Sequence, residues 1–143
     1  MKKFFVTLLA VVIVAAGWYL LSPIFIVKVK DEPMPPSAAV TSRADFKPQA
    51  HEVSGTAVLL KNPDGSKTLR FENFSTVNGP NLHVYLASDL SASDYIDLGP
   101  ITATKGNANY SVPAGTDLNK YRLALVWCVP FKVLFSYAVL SGS

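Results

Sequence analysis

Tyr121-Arg122-Leu123-Ala124-Leu125-Val126-Trp127-Cys128-Val129-Pro130 is the stretch on which the fold turns. In an extended chain successive side chains alternate faces, so Tyr121, Leu123, Leu125 and Trp127 share one face and Arg122, Ala124, Val126 and Cys128 the other. From Leu123 to Val129 both faces are apolar, the mark of a central strand covered on both sides, and Pro130 ends its hydrogen-bonding ladder. The next segment, Phe131 to Leu140, places Phe131, Val133, Phe135, Tyr137 and Val139 on one face of a last strand.

Upstream the same period of two recurs in short runs between turn residues. Val53 to Lys61 and Thr68 to Phe74 flank Asn62-Pro63-Asp64-Gly65, a turn in which proline presets φ and glycine accepts a positive one, so a hairpin is expected. Leu82 to Leu86, Tyr95 to Leu98 and Ala108 to Val112 supply three more strands. About seven to eight strands predict an all-β domain, a small antiparallel β-sandwich or barrel.

The domain is expected to occupy residues 50–143. From Ala50 onward the seven basic and seven acidic side chains cancel, and the net charge of +3 comes from residues before it. A neutral domain of this kind has no nucleic-acid partner in prospect. Residues 1–27 read as a transmembrane anchor. Phe4 to Val27 carries no charge, and its partner is the lipid bilayer. A cleaved signal peptide ending near Val14-Ala15-Ala16 is the rival reading, but the apolar run continues through Trp18 to Val27. Lys2 and Lys3 on one side balance Lys28 and Lys30 on the other, so charge alone does not set orientation. The adopted arrangement is a single pass through the cell membrane with the N-terminus cytoplasmic and the domain outside the cytoplasm. Residues 28–49, with Pro33, Pro35, Pro36 and Pro48, read as a proline-rich linker, either a stalk or a connector of no set length.

Chemistry-bearing motifs are few. No phosphate loop, zinc-protease helix or nucleophile elbow occurs. The domain has His51 and His83, one cysteine at Cys128 and no methionine, which gives neither a metal site nor an identified cofactor. Asp89, Asp94 and Asp97 suggest a solvated acidic loop ahead of a calcium site. No acid, base and nucleophile set can be assembled, so an enzyme is disfavoured.

Taken in order, Gly55-Thr-Ala, Thr68-Leu-Arg-Phe-Glu-Asn-Phe74, Asn78-Gly-Pro-Asn-Leu-His-Val-Tyr-Leu86, Tyr95-Ile-Asp-Leu-Gly99, Gly106-Asn-Ala-Asn-Tyr-Ser-Val-Pro113 and Val126-Trp-Cys-Val-Pro-Phe131 form a pattern. It resembles the DM-thirteen family, the electron-transfer DM domain, over Glu52 to Leu140. Asn81 stands where that family often carries aspartate, and the Trp-Cys-x-x-Phe hallmark is intact. The resemblance implies a redox or electron-transfer role for Cys128 in an exported protein, with a membrane or envelope redox protein as partner. Trp127 and Phe131 are then the aromatic neighbours of the thiol. The residues alone argue the other way, because low dielectric beside aromatic rings raises a thiol's pKa and blunts it as a nucleophile. The alternative function is a non-enzymatic ligand-binding or adhesion module of the cell envelope, presenting loops such as Ser75 to Asn81 and Ser88 to Asp94.

Overall fold

A computed structural model describes residues 1–141; the expected domain end at Ser143 lies outside the described residues. Helix α1, Lys2–Leu21, is followed by a 3₁₀ turn over Ser22–Phe25. At about 1.5 Å per residue the helix is about 30 Å long, enough for a hydrocarbon core, and none of it is buried against the domain. Among the described residues it is the one helix long and apolar enough to cross a membrane, a property that signal sequences share. Ser22 stays in helical conformation, and the regular ladder gives out at Pro23, which has no amide to continue it.

Ten strands follow: β1 Val29–Asp31, β2 Ala39–Asp45, β3 Lys47–Pro48, β4 Val53–Lys61, β5 Lys67–Thr76, β6 Leu82–Ala87, β7 Tyr95–Pro100, β8 Lys105–Val112, β9 Leu123–Cys128 and β10 Val133–Val139. They form two five-stranded sheets, β1-β8-β5-β4-β2 and β3-β10-β9-β6-β7, which pack as a sandwich and do not close into a barrel. The core between them takes Leu59, Leu69, Phe71 and Phe74 from one sheet and Leu82, Val84, Val126, Cys128 and Phe135 from the other. The expected β4–β5 hairpin is present, with Asn62 and Ser66 closing its turn. β9 is central, paired with β6 and β10. Its inner face joins the core, while Leu125 on the outer face lies in a second cluster with Tyr85 and Ala87.

Residues 28–49 are the main correction, because they contain strands β1 to β3 where a proline-rich linker was expected. β1 pairs in parallel with β8 at one edge of the first sheet, and β2 pairs with β4 at the opposite edge. The seven residues from Glu32 to Ala38 must therefore cross the whole sheet. Four inter-strand steps of ~4.8 Å make about 19 Å, and seven residues in polyproline conformation reach about 22 Å. The segment runs extended from Glu32 to Pro35 and then makes a turn, with the Ala38 amide donating to the Pro35 carbonyl at 3.3 Å, before β2 begins. Buried Arg70 donates to the Glu32 carbonyl and to Asn109 Oδ1, both at 2.9 Å, and Asn109 Nδ2 donates to the Pro33 carbonyl at 2.9 Å. The path continues across β4, whose outward-facing Val58 and Leu60 are fully buried. Alternating apolar residues are missing from this segment because β1 and β2 are edge strands. Its one large core side chain is Phe46, which turns inward as the chain passes from one sheet to the other and meets Phe71 and Phe74 at ring distances of 4.7 and 4.9 Å.

The last strand is the second correction. A bulge between Leu134 and Ser136 breaks the alternation, so Phe135 points into the core while Tyr137 joins the outer cluster. Phe131 does not belong to the strand; it lies in the β9–β10 turn.

Two outcomes follow for the fold. Phe46→Ala should destabilise the full chain by about 3 kcal/mol, read by denaturant unfolding, because it removes an aromatic ring from a packed core; a loss under about 1 kcal/mol would mean the 28–49 segment is not part of the fold. Gly106 has φ +112° and a Cβ built there would lie 2.0 Å from the Lys30 carbonyl oxygen. Gly106→Ala should therefore detach β1 and make the chain rapidly cleavable by trypsin after Lys30, where the parent chain resists.

Candidate functional site

Cys128 is the last residue of β9, directly opposite Leu82 of β6 and Val133 of β10. Strand alternation turns its side chain into the core, leaving it 1% exposed. The thiol donates to the Pro80 carbonyl at 3.3 Å. Burial pushes the Cys128 thiol up from its ordinary value, and a hydrogen bond from the Phe131 backbone amide offsets part of that rise. A hydrogen bond from S–H to a carbonyl also favours the protonated form, so the group rests as a neutral thiol.

Cys128 nevertheless borders a pocket of about 280 Å³ shared with His51, Asn78, Pro80, Phe131 and Phe135. The pocket lies at one end of the sandwich, between the β5–β6 loop, the β9–β10 turn and the segment that follows β3. Val129 donates to the Asn81 carbonyl and joins the first two, and His51 donates through its backbone to the Phe135 carbonyl, which holds the third. The imidazole of His51 lies on the ring of Phe135, centroids 4.1 Å apart. Gly79 is required by close approach: a Cβ there would come within 2.8 Å of the Phe135 ring. Asn78 is only 6% exposed, and its Oδ1 is buried without a hydrogen-bond partner.

Phe131, expected beside the thiol, is found at the rim of its pocket and is 61% exposed. Trp127, expected there too, projects from the other face of β9 and lies in the outer cluster. There it stacks on Tyr85 at 6.2 Å, and Tyr85 stacks on Tyr95 at 4.2 Å, making an aromatic row across β9, β6 and β7. Burial, with the nearby Tyr95 and Asp97, pushes the Tyr85 phenol up to about 12. This row and the loop after β6 border an open recess of about 630 Å³.

The three aspartates do not converge. Asp89 caps its own turn by accepting from Ser91 and Ser93, Asp94 binds Lys120 and Tyr121, and Asp97 binds His83 at 2.9 Å. Among the described residues no three His, Cys, Asp or Glu side chains gather as a metal site would need. His51 is the pocket residue to which the sequence gives no role, and Asn78 figures there within the Ser75 to Asn81 loop. Asn78 opens one of the motifs quoted above, whereas His51 had no local signal, because only the pairing of β3 with β10 brings it to the pocket.

Among known proteins, the family described as Electron transfer DM13 matches residues 45–140, two thirds of the chain and the whole of the region containing the pocket. No curated protein and no solved structure matches. The match begins within β2 and ends at Leu140, spanning the ordered motifs from Gly55 to Phe131, and on that ground the chain belongs to the DM13 electron-transfer family.

Proposed function

We propose that the protein is a single-pass membrane protein whose β-domain takes part in electron transfer outside the cytoplasm, with Cys128 as the group that changes oxidation state. The observation that carries this reading is that Cys128, though buried, borders an apolar pocket at the end of the sandwich. Membership of an electron-transfer family supports a redox role, and the uncharged length of α1 supports the anchor. With 1% exposure the sulfur is out of reach of a disulfide on another protein's surface, since exchange needs the thiolate to approach one sulfur of the target directly. A membrane or envelope redox partner would therefore communicate through a small carrier.

The balanced step is thiol–disulfide exchange with a small neutral disulfide. Cys128 loses its proton, its sulfur bonds to one half of the carrier, the carrier's S–S bond breaks, and the other half leaves as a thiol bearing a proton. The carrier is the oxidant and Cys128 is oxidised to a mixed disulfide. Return to the thiol needs a second thiol that attacks the mixed bond.

A second reading, a non-enzymatic ligand-binding module, is favoured by the Tyr95–Tyr85–Trp127 row beside the Ser88 to Asp94 loop. Stacked rings at an open recess suit a planar or ring-shaped ligand. Under that reading Cys128→Ser leaves function intact.

The test is thiol reactivity of the full chain in detergent. Neutral dipyridyl disulfide should modify Cys128 in the folded chain, and the bulkier dianionic nitrobenzoate disulfide should react only after unfolding. If both reagents wait for unfolding, Cys128 is a core thiol and the redox reading fails. The pH profile adds a sign. Because the folded thiol is shifted upward, its rate against dipyridyl disulfide should reach half-maximum above the ordinary thiol range of about 8.5 and return to it in the unfolded chain. By the same linkage, the stability that this protonated thiol contributes is full below the unfolded-state value and is lost as pH rises towards the folded one. Cys128→Ser should remove that alkaline decline in urea unfolding.

A further inference from the structure

We infer that the Cys128 pocket binds a lipid-soluble hydroquinone, an apolar ring carrying hydroxyl donors, and receives it from the bilayer side. The inference deepens the proposed function and rests on its reading of α1 as a membrane anchor.

Two independent observations point to the ligand. The first is Asn78, nine-tenths buried, which lines the otherwise apolar pocket and whose buried Oδ1 lacks a partner. A buried acceptor without a donor costs free energy, and a ligand that supplies an O–H donor recovers it. The rest of the wall is Val77, Val133, Phe135 and the rim ring of Phe131, with the His51 imidazole lying against Phe135. Such a wall selects a flat apolar body over a charged or sugar-like one. At about 280 Å³ the pocket exceeds the ~150 Å³ known to admit benzene, leaving room for ring substituents.

The second observation is where the pocket opens. Lys28 is bonded to Thr104 through backbone and side chain, and Thr76 donates to the Thr104 carbonyl. The chain therefore leaves α1 at the end of the sandwich where β5 finishes, which is the end that carries the pocket. Between that end and α1 lies a second hollow, lined by Tyr19, Leu20 and Ile26 on the helix side. On the domain side it shares Asn78, Gly79, Pro80 and Phe131 with the Cys128 pocket. These four residues form a common wall between the sulfur and the emergence of the anchor. The Asn62–Ser66 hairpin stands at the far end of β5, about 30 Å away for a ten-residue strand.

The experiment uses the full chain in phosphatidylcholine nanodiscs, observed by amide NMR under reducing conditions. Tetramethylhydroquinone should shift the Asn78 side-chain amide and the Gly79 backbone amide saturably, and its dimethyl ether, which keeps the ring and lacks donors, should not. Asn78→Leu should weaken hydroquinone binding about tenfold or more, the worth of one buried hydrogen bond; the ether comparison stands even if this variant folds poorly. A nitroxide-labelled lipid should broaden the Phe131 amide and spare Gly65. Equal shifts from the two compounds, or none, would overturn the ligand assignment, and a Phe131 amide as sharp as Gly65 while Val11 of α1 is broadened would overturn the bilayer-side opening. An unbroadened Val11 would instead refute the anchor, and Cys128→Ser that binds hydroquinone unchanged but is inert to disulfides separates the ligand from the redox reading.

Discussion

The carbonyl of Lys28 accepts from the amides of Thr104 and Lys105, at 2.8 and 3.1 Å, while the Lys28 amide donates to Thr104 Oγ1 at 2.9 Å. This clamp sits seven residues after the last residue of α1 and ties the chain to the sandwich before any stalk can form. Parallel pairing of β1 with β8 follows from it directly. With β1 fixed at one edge and β2 at the other, the proline-containing segment has one route, across the outer face above Arg70 and Asn109. The clamp also decides which end of the domain lies next to the helix. Had the chain joined the sandwich at the Asn62–Ser66 end, Cys128 would lie at the end away from α1.

Much of the fold was legible because the strands of the two sheet centres carry their own pattern. Leu123 to Cys128 alternates correctly and proves central, and the hairpin around Asn62 to Gly65 follows from turn chemistry alone. What was hidden lay at the edges and irregularities. Val29–Asp31 and Ala39–Asp45 bury almost nothing by their own side chains, so no period of two marks them. Their stability comes from backbone pairing and from contacts such as Glu32 Oε2 with the Asn109 amide, at 2.6 Å, which are invisible until the partner strand is known. The Lys30 ammonium and that amide hold the Glu32 carboxyl below its ordinary range, so a segment that reads as loose and polar is tied to β8 by a charged acceptor. The bulge at Leu134 to Ser136 was likewise unreadable, because two buried neighbours, Phe135 and Ser136, look like continued alternation with one polar exception.

The site divides in the same way. The Trp-Cys-x-x-Phe pattern found the thiol and its rim, but adjacency in sequence misled for Trp127, which strand geometry sends to the other face. One strand thus serves two surfaces. Its inner face ends in a shielded, protonated thiol, and its outer face contributes to an aromatic row whose buried member, Tyr85, keeps its proton over the whole physiological range. His51 and Asn78 come from segments 77 and 50 residues upstream of Cys128. They meet it because β3 pairs with β10 and because the β5–β6 loop folds under the end of β9. A buried thiol is ordinarily an inert one. Cys128 is a core residue that also borders a pocket, with Asn78 in the same wall.

The most direct measurement of the central claim, that the domain is clamped to the end of α1, is hydrogen exchange at the amides of Thr104 and Lys105 in the full chain held in lipid. These amides have Lys28 as their acceptor, so the clamp predicts protection comparable to that of β5 and β8. Exchange at the rate of an exposed loop such as Gly115 would contradict it, because the domain would then hang on a free stalk with no fixed end towards α1.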